Sequence, residues 1–256
     1  MFCTKLDHGD GCPANSPVAK RTLALLVMVL LAMPSARAET RIGVAASTKP
    51  NADGVIGGNS QTLAAGSEVY ANETVRTGNL GQADLVFVDQ TNLTVGPTSE
   101  VLLDKFVYDP TGPKGKVVLQ LTRGAFRFVT GTQDHRAYAV NTPYGSLGVR
   151  GTVVEVVVAE KKGKPRPDEC TTRVRLVEGK EATFTLPSGK TARLTEPNQT
   201  VCISPTGAIS YGSSSTSILG FQVAGQTPPP ATGGSPAPPG TGPPTTPPAV
   251  VSPSRP

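Results

Sequence analysis

Tyr138–Val158 reads Y-A-V-N-T-P-Y-G-S-L-G-V-R-G-T-V-V-E-V-V-V, and its punctuation decides the fold class. It opens as an apolar strand and breaks at Thr142-Pro143. Proline lacks the ladder N–H and pushes the residue before it into extended geometry. Gly145 supplies turn freedom. A second short strand is expected over Leu147–Val149, running into Arg150-Gly151-Thr152. Val153–Val158 is nearly all valine, as suits a strand covered on both faces or central in a sheet. This stretch is the expected spine of an all-β domain.

Period-two alternation continues on either side. Ala83, Leu85 and Phe87 share a face, with Asp84 and Asp89 marking the ends as solvated acids, like Asp104 and Asp109 further on. Leu93 and Val95 precede a Gly96-Pro97 turn. Val117, Leu119 and Leu121 alternate with Val118 and Gln120, and Phe126 and Phe128 flank Arg127. Strands Thr172–Val177 and Glu181–Leu186 are expected to join at Glu178-Gly179-Lys180, followed by Thr200–Ile203. No stretch of the mature chain carries a 3.6-residue apolar stripe, so almost no helix is expected. The prediction is one β-rich domain of short stacked strands over residues 39–210, sandwich-like or solenoid-like.

These motifs carry a resemblance. N-T-P-Y-G-S-L-G-V-R-G-T-V-V-E-V resembles the end of the FecR-type periplasmic domain. V-R-T-G at Val75–Gly78, A-D-L-V-F-V-D at Ala83–Asp89 and L-T-V-G-P-T-S-E-V at Leu93–Val101 resemble its core. D-K-F-V-Y-D-P at Asp104–Pro110 and L-T-R-G-A-F-R-F-V-T-G at Leu121–Gly131 resemble a common subtype. The likeness spans roughly Ala65 to Val158, with one departure: Asp89-Gln90 stands where the family often has Asp-Gly. The resemblance implies a non-catalytic β module for protein–protein contact outside the inner membrane. In that family the domain follows a cytoplasmic anti-sigma segment and a membrane span, and receives a signal from an outer-membrane iron-siderophore receptor. Neither segment is read in this sequence, so signal relay is not expected to carry over.

Residues 1–38 read as a signal peptide. Lys20-Arg21 precedes an apolar run of 11 residues, Leu23–Met33, and Ala36-Arg37-Ala38 is an A-x-A site that places cleavage before Glu39. The run is shorter than the roughly 20 residues a bilayer requires, so no stable span is expected after cleavage. An uncleaved anchor remains the alternative. The expected compartment is the periplasm, or the medium if secreted. Cys3 and Cys12 leave with the leader, and Cys170 and Cys202 remain. Two cysteines in an oxidising compartment read first as a disulfide. A metal site is not expected, since His135 is the one mature histidine.

The formal charge is +5, of which the leader holds +2 (Lys5, Lys20, Arg21 and Arg37 against Asp7 and Asp10), leaving +3. That is too small for a nucleic-acid footprint, so no nucleic-acid partner is expected. The basic loop carrying Lys161, Lys162, Lys164 and Arg166 reads either as edge-protecting lysines or as a contact for an anionic polysaccharide or lipid headgroup. Residues 211–256 are rich in Ser, Pro and Gly, and the sole charge after Glu196 is Arg255. Such a segment is expected to be a disordered tail with polyproline character, apart from one small apolar patch at Ile218–Val223.

No catalytic set is visible. His135 beside Asp134 reads as a surface residue, and Gly189-Lys190-Thr191 lacks the leading glycine of a phosphate loop, with Phe184 in that place. Gly145, Gly148 and Gly151 do not fit a dinucleotide fingerprint and precede a strand, so no cofactor is expected. Arg150-Gly151-Thr152 reads as structural, with Thr142 and Pro143: Gly151 would allow a bulge or close approach, and Arg150 would donate its fork across the sheet. The expected function is an exported protein-binding or signalling module in the cell envelope, not an enzyme. The alternative is a module that binds envelope polysaccharide or another anionic ligand.

Overall fold

The computed structural model describes residues 39–108, 115–160 and 166–223. The leader, Lys161, Lys162, Lys164 and the tail beyond Val223 lie outside them.

The first strands are Arg41–Lys49 (β1), Ala52–Ile56 (β2), Asn59–Thr62 (β3), Glu68–Tyr70 (β4) and Thr74–Thr77 (β5). Next come Gln82–Phe87 (β6), Asn92–Val95 (β7), Glu100–Val107 (β8), Lys116–Val129 (β9) and Tyr138–Thr142 (β10). The last are Gly145–Val158 (β11), Thr172–Thr185 (β12), Thr191–Leu194 (β13), Gln199–Ile203 (β14) and Ile209–Ser213 (β15). The one described helical turn is a 3-10 turn at His135–Ala137. All 15 strands join one hydrogen-bonded sheet, not closed into a barrel, whose main path runs β15-β14-β12-β11-β10-β9-β7-β6-β1-β4. The expected all-β class is what forms.

The strands are longer than their sequence suggests. β9, β11 and β12 each run 14 residues, where two short strands apiece were expected. A glycine with positive φ lies inside each: Gly124 (+107°), Gly151 (+55°) and Gly179 (+116°). Glycine tolerates those backbones, so the chain bends there instead of ending. Partners change at the bend. β9 pairs with β8 and β10 before Gly124, and with β7 and β11 from it onward. The two halves of each long strand therefore serve two layers of a single sheet, as strands do when they turn a corner.

Aromatic contacts join the two layers, the first of them between strands that do not pair. Phe87 on β6 lies 5.4 Å from Phe106 on β8, and Phe128 on β9 packs edge-on against Tyr138 at 5.8 Å. One apolar core runs between them, from Ile42 to Ile203. Leu85, Phe126, Leu147, Val154, Val156 and Phe184 are all fully buried in it. Burying each such side chain contributes roughly 1.5–3 kcal/mol against the entropy of ordering the chain.

The valine run is covered on both faces, as expected. Val154, Val156 and Val158 face the core, while Glu155 on the other face is equally buried. Its cover comes from beyond the boundary drawn at residue 210. β15 continues to Ser213, and Leu219 and Val223 bury against Ala125, with Val157 and Phe221 packed beside them.

The departure at Asp89-Gln90 has a structural cost. Gln90 N donates to Phe87 O at 2.9 Å, closing a turn that holds Gln90 at φ 68°. A side chain in that region costs about 1 kcal/mol, which glycine avoids. Gln90→Gly is expected to raise stability by up to about 1 kcal/mol, read as a higher urea midpoint at unchanged slope.

Candidate functional site

The turn after β10 is held by its own threonine. Thr142 Oγ1 donates to Gly145 O at 3.0 Å and accepts from Tyr144 N at 3.2 Å, around Pro143. Thr142 and Pro143 therefore shape the hairpin that delivers β11.

Arg150-Gly151-Thr152 divides into three roles. Thr152 is buried, and its N donates to Thr130 Oγ1 at 3.0 Å. Gly151 takes the left-handed backbone, but a side chain there would meet open space. The close approach falls instead at its neighbour Gly179, where a Cβ would strike Gly151 O and Thr152 Cα. The bulge lies just beyond, between Val153 and Val154 of β11.

Arg150 does not do what was expected of it. It is exposed and makes no hydrogen bond or ion pair among the described residues. Glu181, opposite it in register, binds Arg193 at 3.1 Å instead. Arg150→Ala is therefore expected to change stability by less than about 0.5 kcal/mol, as at other exposed positions, and thermal unfolding checks this.

Arg150 instead lines an open cavity of about 300 Å³ with Gly151, Lys180, Asp134, Gln133 and Tyr138. Two exposed cationic residues, Arg150 and Lys180, line this hollow together with Asp134 and Tyr138. The arrangement can take an anionic or hydrogen-bonding group from solution. Of the basic loop, Arg166 is described and is exposed.

Beneath the cavity lies a hub that the sequence reading placed in solvent. Asp89 is fully buried. Its Oδ1 accepts from Thr91 N at 2.9 Å. Its Oδ2 accepts from Thr91 Oγ1 at 2.7 Å, Tyr138 OH at 3.0 Å and Gln133 Nε2 at 3.2 Å. Burial, with the nearby Asp89 charge, pushes the Tyr138 phenol above its ordinary range. Asp84 is also buried in mid-strand, accepting from Ser47 Oγ at 2.5 Å. Both acids lie at positions whose sequence pattern marks a strand end or outward face. Nothing local tells a solvated acid from one that other strands cover.

Cys170 and Cys202 form the expected disulfide, with Cα atoms 5.6 Å apart. It ties the entry to β12 to the β14 edge layer. Among the described residues, no group of three or more His, Cys, Asp or Glu side chains is arranged to hold a metal ion. Likewise, no described helix is long and apolar enough to cross a membrane.

Fold and site together define a bent, single-sheet β module with a polar cavity beside its R-G-T bend. Residues 73–181 match the family model described as FecR protein. The resemblance read from the sequence is upheld, and the match continues past Val158 through the bend of β12. No curated protein matches the chain. Among solved structures, two crystal structures of a candidate anti-sigma factor from Parabacteroides distasonis ATCC 8503 are similar at 14% identity and TM-score 0.42. The match covers 55% of this chain and 59% of that one, less than two thirds of its length.

Proposed function

We propose that this protein is an exported, non-catalytic FecR-domain module that binds another protein of the cell envelope. The FecR match over residues 73–181 carries the reading. A free sheet edge supports it. β15 pairs with β14 alone among the described residues, and its Tyr211 is 55% exposed. Adding a partner's strand to such an edge supplies main-chain hydrogen bonds directly. The Cys170–Cys202 bridge is consistent with an oxidising compartment.

The test is a photocrosslinker replacing Tyr211 in the exported protein, irradiated in its native envelope. A discrete protein adduct that forms in high salt is the expected result. An N-terminus at Glu39 by mass spectrometry is expected alongside it. Turnover of any substrate by the pure protein would overturn the non-catalytic part. The alternative, an anionic envelope polymer, is favoured by Arg150 and Lys180 at the cavity. It would take over if retention on that polymer collapsed in high salt and in the Arg150→Ala, Lys180→Ala double variant.

A further inference from the structure

The outer face of one layer carries a row of polar residues, read directly from the cross-strand register. Ser47 on β1 faces Asp84 on β6, which faces Thr94 on β7 and then Arg127 on β9. Arg127 faces Glu155 on β11, which faces Arg175 on β12. The charges alternate: Asp84, Arg127, Glu155, Arg175. Charged side chains in a sheet's outer row usually meet water, yet here Glu155 and Arg175 are buried, by 0% and 5% exposure.

The chain's own segment 214–223 covers them. Glu155 Oε2 accepts from Arg175 Nη1 at 3.1 Å and from the backbone N of Ile218 at 3.0 Å. Arg175 Nε donates to the backbone O of Ser214 at 2.8 Å, and its Nη2 donates to Asn198 Oδ1 at 2.6 Å and to Ser215 O at 3.5 Å. The pair thus reads main-chain groups, a carboxylate for an N–H and a guanidinium for carbonyls. Beyond Ile218 the backbone bends, with Gly220 at φ 74°. Leu219 and Val223 are buried and Phe221 is half-buried, while Gly220 and Gln222 are exposed. Leu219 and Val223 pack against Ala125, and Val223 also reaches the hollow lined by Ser47, Lys49, Gln82 and Asp84. The Phe221 ring rests on Gly96, where any Cβ would collide with it.

The segment is nonetheless not a strand of the sheet. From Leu219 to Val223 no backbone group is hydrogen-bonded to the sheet among the described residues. The row below also keeps unused capacity, since Glu155 Oε1 and Arg127 Nη1 are buried without a partner. An exposed serine/threonine tract, 215–217, links β15 to the anchors.

We propose that this outer face is a binding groove for a short polypeptide segment that bends as residues 218–221 do and seats apolar side chains at its first, third and fifth positions, and that Ile218–Val223 is its resident, displaceable occupant. A partner segment of the pattern apolar-x-aromatic-x-apolar takes the same three seats and offers its preceding N–H to Glu155. The segment's attachment in cis keeps the groove closed until such a partner competes.

The test uses the full chain and a labelled synthetic peptide of residues 214–223 as probe, read by fluorescence polarisation. A Leu219→Ser, Phe221→Ser chain releases its own segment and is expected to bind the peptide at least tenfold more tightly than the unaltered chain. A Gly96→Val chain also releases the segment but blocks the aromatic seat, so it is expected not to bind. A natively folded Leu219→Ser, Phe221→Ser chain that binds no better than the unaltered one overturns the proposal. Amide exchange on the unaltered chain decides the matter if that variant fails to fold. Exchange at residues 219–223 is expected to be at least a hundredfold faster than at Val154–Val158. Exchange as slow as the core would make the segment a fixed part of the fold.

Discussion

Replacing Asp89 by alanine is expected to destabilise the protein by about 4 kcal/mol, because a buried charged acceptor is worth more than a neutral one and its donors would be stranded. The carboxylate gathers Thr91 N and Oγ1, Gln133 Nε2 and Tyr138 OH from three separate places in the chain. Its backbone carbonyl also accepts from Thr132 N at 2.8 Å. It therefore ties the β6–β7 turn to the segment that leads into β10. Asp89→Asn keeps the shape but exchanges an acceptor for a donor, and is expected to fall between alanine and the unaltered protein. Urea unfolding of the three proteins measures this, and equal midpoints for Asp89→Ala and the unaltered chain would refute it.

The hub also predicts an alkaline limit. The Tyr138 phenol is held above its ordinary value of 10.0, chiefly by burial. A raised pKa means that the protonated phenol is favoured in the folded state. Its stabilising contribution is complete below about pH 10 and is lost as pH rises through the folded value. Tyr138→Phe removes that titration, so its stability is expected to fall less steeply above pH 10 than that of the unaltered chain.

Loss of the disulfide is the other large effect. Cys170 and Cys202 are 32 residues apart, and a loop of that size restricts the unfolded chain enough to stabilise the native state by about 3–4 kcal/mol. Cys202→Ser is expected to lose that amount. The loss should concentrate in the edge layer. β14 pairs with β12 over only Thr172–Arg175, and β15 hangs on β14 alone among the described residues. Amide exchange in Thr200–Ile203 and Ile209–Ser213 is therefore expected to accelerate more than in Val154–Val158. Uniform acceleration would show instead that the bridge supports the whole domain.

Legibility divided along a physical line. Alternation within a strand is a local property, so Ala83–Phe87, Val117–Leu121 and the valine run announced the all-β class directly. The cysteine pairing was legible as well, because two thiols in a domain read as exported have few alternatives. The short strands read from glycines were a misreading with a cause. A glycine permits a positive φ but does not say whether the chain then turns back or bends and continues. At Gly124, Gly151 and Gly179 partners on both sides carry the ladder through the bend.

Burial of charge was the part no local pattern could reach. Glu155 looks like one acid in a run of valines, and Arg175 like an outward residue of an ordinary strand. Their meeting depends on the register of β11 against β12, and their burial on a segment more than 30 residues further along. Asp89 likewise becomes a hub only when residues near 133 and 138 close over it. The sequence by itself determined the class of fold and the covalent bridge, because both follow from neighbouring residues and redox chemistry. Only the tertiary structure decided which charges lose their water, because desolvation is set by whatever distant chain happens to cover them.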